Sequence, residues 1–393
     1  MVLFLHNRYR TTGGEERVVE DLLWLVRERL GESAELLGRD SAALGRGRAA
    51  AGLLRGGLQP ADVTRAVRLS RARVVHAHNL HPSLGWRALA AARAAGARVV
   101  LHLHQYRIVC AIGVCFTRGA ECTRCHGRNT LPGVRLNCRG NLPEALAYGA
   151  SLALWQRRLA EQADALIVPS LFARERLREL GAPLPWDRVH VLAPPVRMAA
   201  PVSAAASSTG GATGTVASAD LPGEAGGGYA LVVSRLSPEK GVDVAIDACR
   251  TAGMPLVVAG EGPERGALGE RAAGAEVRFA GAVDDAELAR LRAGAAIALA
   301  PSRSAETFGL AAAEAMAAGL PVAASRVGAV PELVGEEGLV PAGDPGALAQ
   351  AIVRLAGDRA AGERGLWRVR ALCAPEVVAG ALAAIYDGRD ASP

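Results

Sequence analysis

Short apolar runs recur along this chain, each followed by a stretch of helical periodicity, and the whole series occurs twice. In the first half the runs are Val2–His6, Val74–His78, Val99–His104 and Leu166–Pro169, with helical patterns such as Glu15–Leu30 and Ser83–Ala95 between them. The second half has Ala230–Ser234, Pro255–Gly260, Val277–Ala280, Ala296–Pro301 and Pro321–Ser325. Asp284-Asp285 supplies a helix start there and Gly319-Leu320-Pro321 a stop. Strands alternating with helices dictate parallel pairing, because each parallel neighbour needs a crossover that a helix supplies. Two such series in 393 residues imply two domains, each with its own core. Between them Ala199–Gly228, rich in Ala, Ser, Gly, Thr and Pro, reads as a flexible linker or insertion. The expected fold is α/β, with two Rossmann-like domains facing across a cleft. Their boundaries are 1–198 and 229–375, with a C-terminal helix over 376–393 that packs back on the first domain.

Composition narrows the class. Aromatics are only 4% of the chain, so both cores are expected to be aliphatic. No uncharged apolar run reaches about 18 residues, which predicts no membrane-spanning helix. Met1–His6 is too short for the apolar region of a signal peptide. A cytoplasmic protein is therefore expected, peripheral at the inner membrane face. Charge is uneven: residues 1–195 carry a net +12 and the remainder −6. A basic first half suits anionic lipid headgroups, a charged glycan or nucleic acid, or is a solvated arginine-rich surface. Nucleic acid is not expected, because the 15 aromatic residues form no stacking series among the arginines.

Only one of the 45 strong cations is a lysine, Lys240. It stands in Ser234-Arg235-Leu236-Ser237-Pro238-Glu239-Lys240-Gly241, directly after an apolar run, with Lys240-Gly241 expected to open a helix. Two cations at the C-terminal mouth of a strand, beside a helix start, favour a phosphate. The second motif is Pro301-Ser302-Arg303-Ser304-Ala305-Glu306-Thr307-Phe308-Gly309-Leu310, running on to Glu314. A strand enters a small-residue turn and Gly309 opens an Ala-rich helix, whose free N–H groups can receive phosphate oxygens. Of the two carboxylates, one can meet a sugar near the phosphates and the other a ribose hydroxyl. Glu306 reads otherwise as a turn residue and Glu314 as a solvated one, although its apolar neighbours argue against plain solvation.

With Gly260-Glu261-Gly262 between them, these motifs resemble the retaining glycosyltransferases of family 4, which have the GT-B fold. The resemblance implies that Arg235 and Lys240 hold a donor diphosphate, that Glu306 contacts the donor sugar and that Glu314 holds the ribose. It places Glu261, Thr307, Phe308, Gly309 and Leu310 on the donor as well. That family works without a metal-bound diphosphate, and no Asp-x-Asp follows a strand here, so catalysis is expected to need no cofactor.

Six of the eight histidines, His6, His76, His78, His81, His102 and His104, fall at or just after three expected strand ends. Alternation puts His102 and His104 on one face, and such clustering at the ligand edge of a sheet favours an active-site lining. The resemblance singles out His104, although Gln105 stands where an Asp is usual. Thr12-Gly13-Gly14-Glu15 looks like the family's glycine loop, with Gly13 and Gly14 near the phosphates. The implied reaction is retaining transfer from a nucleotide sugar to a hydroxyl of a lipid-linked or cell-surface glycan, or of a small molecule. Arg235, Lys240 and the Gly309 helix start would stabilise the departing charge while His104 orients the sugar. An epimerase would need another acid–base set, and a phosphorylase a cofactor lysine that the chain lacks outside Lys240. A non-catalytic zinc-knuckle nucleic-acid binder is the reading from a different class.

Five of seven cysteines fall in one window: Cys110, Cys115, Cys122, Cys125 and Cys138. Cys122-Thr123-Arg124-Cys125 has the knuckle spacing of structural zinc sites. Either Cys110, Cys122, Cys125 and Cys138 bind zinc, with Cys115 as an alternative ligand, or the thiols stay reduced and pack as small apolar groups. Some bacterial members of the resembled family carry a similar loop.

Overall fold

Most of the first strands are buried on both faces, so alternation alone decides which of their residues face which layer. In the computed structural model, which describes residues 1–9, 13–198 and 228–389, strand β1 spans Val2–Arg8, β2 Ala34–Asp40, β3 Val74–Ala77 and β4 Arg98–His102. A short hairpin follows, β5 (Phe116–Thr117) and β6 (Ala120–Glu121), then β7 (Ala165–Val168) and β8 (Val189–Val191). The segment expected as a linker lies outside the described residues except for Gly228, as does Thr12.

The first unit comprises Met1–Pro195 with Ser304–Phe308 and Leu372–Pro393. Its six-stranded sheet has the order β2-β1-β3-β4-β7-β8, all parallel. Leu3, Leu5, Val75, Val99, Leu101, Leu166 and Val168 share one core with Leu84 and Leu89. Each fully buried leucine of this kind stabilises by about 1.5–3 kcal/mol relative to an exposed one. The alternate residues, among them His6, His76 and His102, point to the other face. Against the expectation, β3 ends at Ala77 and β4 at His102, so His78 and His104 stand in the loops beyond. The helix Gly14–Glu28 buries Val18, Val19, Leu22, Leu25 and Val26, a single stripe at helical spacing.

The last helix, Pro375–Asp387, belongs to this unit. Within Arg359–Asp387 an 18-residue window has a mean hydropathy of 1.5, enough by length and composition alone to cross a membrane. The run is broken at Ala374, however, and Val378, Leu382, Ile385 and Tyr386 are buried within the protein. Arg98 Nε donates to the Ile385 carbonyl at 3.1 Å.

The second unit comprises Val196–Arg303 and Gly309–Ala371. Its strands are β9 (Tyr229–Val233), β10 (Leu256–Ala259), β11 (Val277–Gly281), β12 (Ala295–Ala300), β13 (Val322–Ser325) and β14 (Leu339–Val340). They pair in parallel in the order β11-β10-β9-β12-β13-β14. Strand order reverses between β9 and β12, the place where open α/β sheets hold their ligands. Alanines 230, 245, 248, 323, 349 and 351 are 0–5% exposed and let the helices Val242–Ala252 and Pro345–Leu355 lie close. Residues 304–308, expected in this domain, cluster instead with the first unit.

Candidate active site

Both cations singled out from the sequence follow β9. Lys240 ends a 3-10 turn, Pro238–Lys240, rather than opening a helix; Gly241, at φ 65°, caps Val242–Ala252. A Pro cannot donate and the left-handed glycine cannot continue a turn, so the loop is divided there. The Arg235 guanidinium pairs with the Glu239 carboxylate, and Ser237 Oγ donates to Glu239 Oε1 at 2.7 Å. Burial pulls the Glu239 carboxyl upward, but the hydrogen bonds from Ser237 and Arg235 outweigh it and hold the group below the ordinary carboxylate range. Glu239 therefore stays charged and orients Arg235. Sequence reasoning missed it, although it directly precedes the single lysine.

Backbone contacts lock the neighbouring loops to this one. A Cβ on Gly260 would lie 1.9 Å from the Ser234 carbonyl oxygen, and one on Gly262 2.3 Å from that of Leu236. A Cβ on Gly241 would lie 2.1 Å from the Pro301 oxygen, at the end of β12. Arg303 completes the clamp: its N–H donates to the Glu239 carbonyl at 2.8 Å, and its guanidinium holds both Asp243 oxygens at 2.7 and 2.6 Å. Glu261 is exposed on the loop after β10. After β12, Gly309 (φ 99°) caps the helix Leu310–Ala317, whose start carries no side-chain cap. Leu310 lies in its first turn. Glu314 is neither solvated nor alone, because Arg292 binds its carboxylate and both side chains are about 15% exposed. That partner, 22 residues away, leaves no local signal.

The first unit carries the histidines. Register sets Phe4 opposite His76 and Leu101 opposite Ala77, which gathers the rings of three strands at one edge. His102 and His104 stack with centroids 4.2 Å apart, and His78 stacks on His104 at 5.1 Å. Tyr386 Oη meets His76 Nδ1 at 2.7 Å, His76 Nε2 meets His102 Nδ1 at 3.3 Å, and His78 Nδ1 meets His104 Nε2 at 2.8 Å. Burial pushes His76 down to about 3, His81 down to about 4, and His78, His102 and His104 below the usual imidazole range. The rings are therefore neutral. Burial pushes the Tyr386 hydroxyl up, so it keeps its proton and donates; His76 then carries its proton on Nε2 and donates to His102. Nitrogens of His76, His78 and His102 all lie within 4.8 Å of one another. Both nitrogens of His76 are already engaged, which leaves it none for a metal.

Gly13 caps the helix Gly14–Glu28. Glu16 accepts from the Gly13 and Tyr9 N–H groups at 2.9 and 3.1 Å, which fixes the ends of the glycine loop. Glu15 accepts from Tyr9 Oη at 2.8 Å and from Gln105 Nε2 at 3.3 Å. Gln105, standing where an Asp was expected, thus ties the His104 loop to the glycine loop as a neutral donor. Burial raises the Glu15 carboxyl. Thr307 Oγ1 donates to the His104 carbonyl at 2.8 Å, and Ser170 Oγ donates to the Thr307 carbonyl at 2.7 Å. Those two bonds are why residues 304–308, with Glu306 and buried Phe308, cluster with the first unit. Cys110, Cys122, Cys125 and Cys138, with Cys115, line one pocket.

A family model described as glycosyl transferases group 1 matches residues 227–358, and one described as a glycosyl transferase 4-like domain matches residues 9–195. The GDP-mannose-dependent alpha-(1-6)-phosphatidylinositol dimannoside mannosyltransferase of Mycobacterium tuberculosis is 42% identical over 125 residues, 30% of this chain and 32% of that protein. The chain thus spans about a third of the length of that curated relative. Among solved structures, sucrose-phosphate synthase from Thermosynechococcus elongatus matches with a TM-score of 0.66 and 20% identity, covering 99% of both chains. Anabaena HepE in complex with UDP-glucose matches with a TM-score of 0.63 and 16% identity, covering 98% of this chain and 99% of that one.

Proposed function

The chain belongs to the GT-B glycosyltransferases of the family 4/5 type, and from that premise we propose that it moves a sugar from a nucleoside-diphosphate donor to a hydroxyl acceptor with retention at the anomeric carbon. The observation that carries this reading is the β9/β12 reversal. Arg235 and Lys240 leave one of those strands, and the uncapped Gly309 helix leaves the other. A diphosphate there meets two cations and a helix N-terminus, each of which gains as negative charge builds on the leaving group. Glu239 holds Arg235 in place. Glu306 serves the donor sugar and Glu314, steadied by Arg292, the ribose. Glu261 and Leu310 serve the donor from the second unit, and Thr307, Phe308, Gly13 and Gly14 are assigned to it from the first.

On this reading His104 orients the sugar as a neutral hydrogen-bonding group, and the departing phosphate takes the acceptor proton. The acceptor is a lipid-linked or cell-surface glycan. The mannosyltransferase relative and the net charge of +12 on residues 1–195 support that choice.

The test uses the single lysine. Amine-selective labelling, read by mass spectrometry with the N-terminal amine as control, is run with a panel of nucleotide sugars. One donor should protect Lys240 selectively. With that donor, Lys240→Ala should lower turnover by about 10²–10³, and the product's anomeric configuration by NMR should match the donor's. Turnover near the unsubstituted level in Lys240→Ala would remove the phosphate site from the mechanism.

A further inference from the structure

The segment between β4 and the helix Leu142–Glu161 lacks the usual means of holding a shape. Over residues 110–138 its regular structure is the β5–β6 hairpin and a five-residue helix, Leu131–Arg135. Its buried side chains are few: Ala111, Cys115, Phe116 and Thr130. Yet its backbone is held in costly conformations. Cys115, Arg118 and Asn137 have φ of 49°, 53° and 47°, three of the five left-handed non-glycine residues among those described. At Cys115 and Arg118 this costs roughly 1–2 kcal/mol each, and less at Asn137, so something in the loop must over-determine its path.

No disulfide does so, because all five cysteines are free. Instead all five line the same pocket, together with Ala111, Ile112 and Phe116. Short turns bring them there. The Gly113 N–H donates to the Cys110 carbonyl at 2.9 Å, the Cys122 N–H to the Cys115 carbonyl at 2.7 Å, and the Cys138 N–H to the Gly133 carbonyl at 3.0 Å. The helix Leu131–Arg135 abuts the cluster, since a Cβ on Gly133 would sit 3.4 Å from Cys125 Sγ. The five thiols are not equivalent. Cys110, Cys122, Cys125 and Cys138 are partly accessible, whereas Cys115 is buried and hydrogen-bonds through its side chain to Cys110.

We propose that Cys110, Cys122, Cys125 and Cys138 bind one structural zinc ion as four thiolates, with Cys115 outside the coordination shell and donating its S–H to Cys110. Four sulfur ligands from a two-residue knuckle and two separate turns are the donor set of a closed structural zinc site. Among the described residues no three cysteine sulfurs all lie within 4.8 Å of one another, so the metal would draw them in and supply the cross-link that this coreless loop needs. The loop leads directly from His104, and the Tyr106 N–H donates to the Gly113 carbonyl at 3.0 Å, so the ion would also set the stiffness of the His104–Gln105 segment.

Metal content of the purified full chain tests this. Plasma mass spectrometry should find one zinc per chain, released by p-hydroxymercuribenzoate as the four thiols react. Cys122→Ser should reduce zinc at least tenfold, while Cys115→Ser and, as a control in the second unit, Cys249→Ser should retain it. Should Cys122→Ser fail to fold, cobalt(II) exchanged into the unsubstituted protein decides. Intense visible bands with sulfur-to-cobalt charge transfer support four thiolates in a tetrahedron. Protein free of zinc after growth with added zinc, zinc replaced by iron, or a weak cobalt spectrum of oxygen ligation would each overturn the site.

Discussion

His76 has both ring nitrogens engaged at zero exposure, on Tyr386 on one side and His102 on the other. Removing the hydroxyl in Tyr386→Phe leaves Nδ1 buried without a partner, a loss of about 1–3 kcal/mol. Urea denaturation should show that loss with the m-value unchanged. The same burial sets a pH dependence. Five imidazoles, His76, His78, His81, His102 and His104, are held below their unfolded value of about 6.5. The unfolded chain thus takes up protons that the native one refuses. Stability is complete above about pH 6.5 and falls as pH drops through the window below it, which extends down to about 3 for His76 and about 4 for His81. Each such group contributes roughly 1.4 kcal/mol per pH unit. The urea midpoint should be level between pH 8 and 7 and fall steeply from 6.5 to 5; a level profile throughout would mean the native rings already accept protons. Histidines at strand ends were legible as a cluster. Their hydrogen-bonding order was not, because Tyr386 lies 310 residues from His76.

At the scale of elements, the strands that sequence reasoning finds are the buried apolar ones, such as β1, β4, β9 and β10. Those it misses have a physical reason. β2, Ala-Glu-Leu-Leu-Gly-Arg-Asp, is an edge strand with Leu36 46% exposed, so no apolar run marks it. β14 is two residues long. The loop motifs were legible because their glycines are forced: at Gly260 and Gly241 another chain segment's carbonyl occupies the place of a side chain. Gly260→Ala, with φ 137° and a Cβ 1.9 Å from the Ser234 oxygen, should cost about 1–3 kcal/mol or more and displace Arg235. Donor affinity should drop with stability. Gly266→Ala provides the contrast: it lies in the helix Arg265–Arg271 with nothing within 4 Å of its Cβ position. Thermal melting should show it unchanged or raised, by up to about 1 kcal/mol.

For the molecule as a whole, the two α/β series and their parallel sheets were legible from the alternation of runs. The allocation of segments was only partly so, because the Thr307 segment and the Tyr386 helix join the first unit through bonds to residues far away in sequence. Uneven charge makes a further expectation. If the basic first half meets an anionic surface, sedimentation with phosphatidylglycerol vesicles should retain the protein, phosphatidylcholine vesicles should not, and about 0.5 M salt should release it. Retention on both lipids alike would assign the surface no electrostatic role.

The closing helix, Pro375–Asp387, has a consequence for synthesis. The first unit's six strands have all been translated by residue 191, yet the partner of His76 and the acceptor of Arg98 leave the ribosome only near residue 386. The nascent first unit must therefore wait, its histidine edge unsealed, while the second unit is made and can fold ahead of it. The half that is translated first is completed last, and a ribosome stalled within the second unit would hold a first unit that has every strand but not its final shape.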